Sequence, residues 1–192
     1  MTSDSNEIPV IDISSFLNDT DKISVVEKIS KACENIGFLI ISGHGIPKDV
    51  INEAFSQSRD FFNLDQSDKN LYHPKTRSQQ RGYHAFATRG LAYTLGKNAP
   101  PDLRETFFLG PLDDHQNYFK SSPGASSAYA PNIFPQKPIG FACALQDIYK
   151  HYQRLSEDIL RIFAVALDLE ENFFSKQIKK HFSILSSHHY PA

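Results

Sequence analysis

Apolar residues recur along the chain with two different periods, and the change from one to the other lays out the elements. In residues 8–14 (IPVIDIS), Ile8, Val10 and Ile11/Ile13 alternate with small or polar residues behind Pro9, which predicts a short edge strand. Ile23, Val26, Ile29, Cys33 and Ile36 follow at spacings of three and four, so a helix is expected, capped by Asp19 or Thr20 and stopped by Gly37. Residues 38–41 (FLII) form a continuous apolar run too short for a helix, and this predicts a strand buried on both faces. A second helix begins near Pro47 and ends near Leu64, with Ile46, Val50, Ala54, Phe55, Phe61 and Phe62 on its buried side. Between residues 72 and 101 no period persists, which predicts loop with short strands; 105–109 (ETFFL) reads as a strand and 113–138 as connecting coil. From 139 to 167 a stripe through Phe141, Leu145, Ile148/Tyr149, Tyr152, Leu155, Ile159, Ile162/Phe163 and Ala166 predicts one long helix. A short helix over 170–178 and a strand over 182–190 (FSILSSHHY), with Phe182, Ile184 and Tyr190 on one face, complete an α/β (α+β) chain.

Composition narrows the classes of function. The 192 residues are 40% hydrophobic and 22% charged, which places the chain among globular proteins rather than disordered ones. Twenty basic and 22 acidic residues are spread along it, so no sustained field favours nucleic acid or anionic lipid, and neither partner is expected. Residues 1–10 lack a basic segment followed by an apolar core, and the longest apolar run, 162–167, is too short to span a bilayer. The two cysteines, Cys33 and Cys143, sit in helical patterns and read as small buried hydrophobes, which points to a reducing, cytoplasmic compartment.

Chemistry is harder to find. None of the eight histidines is followed two residues later by Asp or Glu, so the H-x-D/E half of a two-histidine, one-carboxylate iron site is absent, as are HExxH and CxxC. His181, His188 and His189 cluster in sequence, but the last two point to opposite faces of a strand, and a hydrolase metal site there would need a carboxylate the local sequence does not supply. Neither a nucleophile elbow nor a phosphate-binding glycine loop is present, and His44, between two glycines, reads as a turn residue bonded to backbone.

The segments without evident chemistry nevertheless fall in a recognisable order. IPVIDIS from Ile8, ACENIGFLIISGHGIP from Ala32, FFNLDQSDK from Phe61, RGY from Arg81, DLRETFFLGP from Asp102, NIFP from Asn132, LDLEENFF from Leu167 and SSHHYPA from Ser186 together resemble isopenicillin N synthase-like, non-haem iron(II)/2-oxoglutarate-dependent dioxygenases. The resemblance implies the N-terminal buttress of a double-stranded β-helix, or jelly roll, with only the beginning of the barrel present. It divides the chain into an N-terminal dioxygenase domain over 1–120 and, over 121–192, coil, long helix and first barrel strand. Fe(II) and 2-oxoglutarate are the implied cofactors, with dioxygen and a small-molecule substrate as partners. The family's iron ligands follow the HYPA-like segment, so no cofactor is expected on this chain alone and it is expected to be inactive by itself.

Carried over residue by residue, the resemblance makes Tyr190 and His188 candidate contacts to 2-oxoglutarate. Arg81, Tyr83 and Phe86 become candidates for the substrate pocket, Arg81 by pairing with a carboxylate. Arg104 and Glu105 are expected to hold their strand in place. The strands starting at Ile8, Phe38, Glu105 and Phe182 are expected to lack partners, because in the family they would pair with later barrel strands. The implied function is hydroxylation, desaturation or ring closure of a small molecule; the alternative is a non-catalytic, stand-alone interaction module of the same descent.

Overall fold

The computed structural model describes residues 7–76, 78–88, 90, 100–113 and 116–191, without the side chain of residue 116. Among them the elements run β1 (Val10–Asp12), α1 (Ser14–Leu17), α2 (Lys22–Asn35), β2 (Ile40–Ser42), α3 (Lys48–Phe62), α4 (Gln66–Asn70), β3 (Gly82–His84), β4 (Glu105–Leu109), α5 (Gln116–Phe119), α6 (Ala125–Ala128), α7 (Phe141–Ala166), α8 (Ser175–Ile178) and β5 (Leu185–His189). They form two compact units, each discontinuous in sequence: residues up to Pro47 with Lys150–Lys179, and Lys48–Tyr149 with the residues from Lys180 onward. Compactness therefore follows a different line from the linear split at 120. No helix among the described residues is long and apolar enough to cross a membrane.

In the first unit β1 and β2 pair in parallel, Val10 with Ile40 and Asp12 with Ser42, joined by a helical crossover of the kind parallel strands require. Asp21, not Asp19 or Thr20, caps α2: its carboxylate accepts from the Ser24 N–H at 3.1 Å. At the other end Gly37 turns the chain at φ +77°, and its N–H closes on the Ala32 carbonyl at 2.9 Å. The period-two pattern sends Ile11 and Ile13 inward to meet Phe16, Val25, Ile29, Ala32 and Ile162. Phe16 is fully buried, with Lys22 and Arg161 over its ring at 5.1 and 5.6 Å. Lys22 and Arg161 both hold Glu171, tying the segment after α7 to this core.

The strand over 38–41 is not buried on both faces. Phe38 is 68% and Ile40 51% exposed, as is Val10 at 65%, because this two-stranded sheet has its core on one side only. Cys33 and Cys143 also depart from expectation: both are free and exposed, lying off the buried stripes of their helices.

The second unit is built on an antiparallel sheet in the order β3–β4–β5. The expected orphan strands thus pair with one another: 8–14 with 38–41, and 105–109 with 182–190. Phe61 of α3, Phe107 of β4 and Phe141 of α7 form the aromatic centre, Phe61 and Phe141 stacked at 4.6 Å and Phe107 edge-on to both at 5.1 and 4.9 Å. α7 runs unbroken as its stripe predicts; its residues 141–149 belong to this unit and 150–166 to the first. The region expected as coil carries α5 and α6, and the 72–101 loop carries β3. Residues 1–6 of the leader reading, 77, 89 and 91–99 of that loop, 114–115 of the expected coil and 192 lie outside the described residues.

Candidate functional site

Strand register sorts the residues of interest onto two faces. Tyr83 lies opposite Phe107 and Glu105 opposite His189, so these four point to the core; His84, Thr106 and His188 form a row on the other face.

The core face holds a buried polar cluster. Lys69 of α4, 6% exposed, donates from Nζ to the Phe62 carbonyl at 2.9 Å and to both Glu105 oxygens at 3.2 and 2.9 Å. The Tyr83 hydroxyl donates to Glu105 as well, and His189 Nδ1 stands 2.8 Å from its other oxygen. Burial alone would raise the Glu105 pKa, but hydrogen bonds from Tyr83, His189 and Lys69, together with the Lys69 charge, hold it below the ordinary range. Burial and the Glu105 contact push the Tyr83 phenol up, so it remains a donor. Glu105 anchors its strand as the sequence implied, with Lys69 as the partner; Arg104 pairs with Asp102 at 3.1 Å.

On the opposite face His188 is the hub. Arg104 Nη1 (3.3 Å) and Thr106 Oγ1 (3.0 Å) both approach its Nδ1, and Ser186 Oγ lies 2.9 Å from Nε2. A guanidinium only donates, so Nδ1 accepts and Nε2 carries the proton. Burial first, and the Arg104 charge second, hold the His188 pKa below its usual value, which keeps the ring neutral near pH 7. One residue on, Tyr190 is 65% exposed, and continuing the register sets it opposite Arg104.

A second polar knot joins three of the segments singled out in the sequence. The Arg81 guanidinium, 1% exposed, donates to the carbonyls of Ala130, Gln80 and Ala128 at 2.8–2.9 Å. Gly110 makes room for it, since a Cβ there would collide with the guanidinium carbon. Asn132 accepts from the Gly110 N–H at 2.7 Å and donates to the carbonyls of Gly110 and Pro111. RGY, FLGP and NIFP are thus one structural lock, and burial lowers the Arg81 pKa without freeing its charge for a ligand.

The family model for the non-haem dioxygenase in morphine synthesis N-terminal region (DIOX_N) matches residues 8–137, more than half of the chain. The chain belongs to this family. Among relatives of the chain, a proline hydroxylase, buaE, of Petromyces alliaceus is 28% identical over 191 residues, covering 97% of this chain and 56% of that protein. A homoarginine-6-hydroxylase of Oryza sativa subsp. japonica is 30% identical over 177 residues, covering 87% and 51%. A full-length Neurospora crassa protein, solved in complex with alpha-KG and thymine, matches at TM-score 0.76 and 25% identity, over 100% of this chain and 57% of that one. The mixed α/β architecture is therefore that of jelly-roll 2-oxoglutarate–Fe(II) oxygenases, whose cofactors are Fe(II) and 2-oxoglutarate. The chain spans about half the length of the curated relatives it matches.

Of the residues expected at a site, His188 and Tyr190 come together at the end of β5, and Phe86 lies just past β3, 43% exposed. Arg81 and Tyr83 do not join them, which corrects the expectation of a substrate-pairing arginine. The Arg81 guanidinium is saturated by backbone carbonyls, and the Tyr83 ring is buried against Phe61 on the core face. Thr106 and His84 share the His188 face and carry no expectation from the sequence, and Arg104, expected only to hold its strand, lies on that face too; alternation assigns a face within each strand, but only the pairing shows which strands share it. Among the described residues no three of His, Cys, Asp or Glu converge on a point that could hold a metal ion, so they do not fit an iron centre.

Proposed function

We propose that the chain forms part of an Fe(II)- and 2-oxoglutarate-dependent oxygenase acting on a small molecule, and that it contributes the sheet face carrying Arg104, His188 and Tyr190. The observation behind this reading is an exposed phenol, a guanidinium and a neutral imidazole on neighbouring positions of β4 and β5 in a chain of this family. The donor set suits a carboxylate. Tyr190 has its hydroxyl to give, and Arg104 retains donors beyond those facing Asp102 and His188. With Fe(II) and dioxygen, 2-oxoglutarate supplies the oxidising power of such enzymes; the residues here bind and orient it. Phe86 walls the substrate side, and relatives named as proline and homoarginine hydroxylases support a small substrate that itself carries a carboxylate. On this reading residues 1–120 are the N-terminal dioxygenase domain, 121–192 lead into the barrel with β5 as its first strand, and the protein works in the cytoplasm.

Calorimetric titration with 2-oxoglutarate, on the chain extended through a family-like barrel, tests the assignment. Tyr190→Phe should weaken binding by ~10-fold or more, since a hydrogen bond to a charged group contributes about 1.5–3 kcal/mol. Unchanged affinity removes Tyr190 from the site. The 192 residues alone should neither take up Fe(II) stoichiometrically nor release succinate, and tight iron with succinate release contradicts that part of the proposal. A non-catalytic module is the second reading, favoured by the apolar strip of Val10, Phe38 and Ile40 exposed on the first sheet. Loss of 2-oxoglutarate binding altogether would favour it.

A further inference from the structure

The G-H-G-I-P turn has no part in the face described above, yet it lines a cavity of its own. Gly43 and Gly45 take φ of +67° and +71°, and a Cβ on Gly43 would collide with Asp12 Oδ1, so only glycine closes this turn. The turn fixes the histidine between them. The Ile46 N–H donates to His44 Nδ1 at 3.1 Å, which leaves the ring proton on Nε2 as a donor for something else. α7 presents His151, Arg154, Leu155, Asp158 and Arg161 to the same cavity, at the three and four spacings of one helix face, around a volume of 210 Å³.

The charges of this lining do not balance internally. Asp158 is taken by Arg161, whose Nη1 stands 2.8 Å from its Oδ1, and Arg161 also holds Glu171. Arg154 is exposed and makes no ion pair or hydrogen bond with any described residue, so one guanidinium is left over beside two imidazoles. A cation is disfavoured there, because the carboxylate in the wall is already used. We propose that this cavity binds a compact oxyanion, a phosphate or carboxylate group, held by His44, His151 and Arg154. The volume admits an anion of that size with a short attached group and is too small for a nucleotide. The apolar wall of Leu155 and Ile46 shields the contacts from bulk water, which strengthens them relative to an open surface.

The test is an NMR titration of the full chain at constant ionic strength, reading the His44 and His151 ring resonances, with inorganic phosphate in one arm and succinate in the other. Arg154→Gln and His151→Gln are compared with wild type, and Arg59→Gln, an exposed arginine of α3, controls for net charge. Saturable shifts of both rings in wild type and Arg59→Gln, weakened at least ~10-fold in Arg154→Gln, are the expected result. The arm with tighter binding identifies the anion. Shifts that never saturate in either arm, or that are equal in wild type and Arg154→Gln, overturn the proposal. Circular dichroism identical across the variants ensures that weakening reports lost contacts and not lost fold.

Discussion

Replacing Lys69 with methionine keeps the length of the side chain and removes its charge from one of the most enclosed ion pairs in the protein. The Lys69 and Glu105 side chains are only 8% and 5% exposed, and three Nζ hydrogen bonds, to Phe62 and to both Glu105 oxygens, vanish together. What remains is a buried carboxylate whose hydrogen-bond partners among the described residues are Tyr83 and His189. Breaking such a pair from one side costs about 3–5 kcal/mol, far above the ~1 kcal/mol of an exposed pair. With a urea slope near 2 kcal/mol/M, the unfolding midpoint should fall by about 1.5–2.5 M at pH 7. Lys69→Met/Glu105→Gln, which removes both charges but leaves an acceptor for Tyr83 and His189, should recover part of the loss. The pH dependence follows from the Glu105 pKa, held below its ordinary 4.5 despite burial. A depressed carboxylate stabilises the fold above its unfolded value and loses that contribution as pH falls through the folded one. In Lys69→Met burial regains ground, so stability should begin to fall at a higher pH than in wild type. A midpoint change worth less than ~1 kcal/mol, with an unaltered acid limb, would refute the reasoning.

The corrected role of Arg81 predicts a stability effect without a binding effect: Arg81→Leu strips three carbonyls of their donor at about 1–3 kcal/mol each. A melting temperature lower by at least about 6 °C is expected, with 2-oxoglutarate affinity unchanged in calorimetry. Tyr149, whose hydroxyl donates to the Ser183 carbonyl at 3.1 Å, has its pKa pushed up to about 12, chiefly by burial. A raised tyrosine pKa stabilises the fold below the unfolded value of 10.0 and is lost as pH rises toward 12, so absorbance at the tyrosinate band should show the Tyr149 phenol, like that of Tyr83, titrating only as alkaline unfolding sets in.

Long-range periodicity was the most legible feature of the sequence. The stripe from Phe141 to Ala166 became a single 26-residue helix, and Gly37 stopped α2 because only a residue tolerant of positive φ fits there. ETFFL became the central strand of its sheet, buried throughout. Layering was not legible. A continuous run such as FLII records hydrophobicity but not how many layers cover it, and here one side of Phe38 and Ile40 stays open. Pairing was equally hidden, so the strands read as lacking partners turned out to be partners of one another. That same blindness exchanged two arginines: Arg81 carried the motif but closes a backbone lock, whereas Arg104, read as a strand support, stands beside His188. Chemistry that depends on register cannot be read from spacing along one strand.

The proposed two-faced use of the β3–β4–β5 sheet would put structure on one side and 2-oxoglutarate on the other. Titrating the chain, extended through a family-like barrel, with 2-oxoglutarate while recording the ring resonances of all four residues tests it most directly, because His188 and Tyr190 sit next to His189 in sequence, and Tyr83 faces the core with it. Saturable shifts at His188 and Tyr190, with Tyr83 and His189 unmoved, are predicted. Shifts confined to Tyr83 and His189, or absent from all four rings at saturating 2-oxoglutarate, would contradict it.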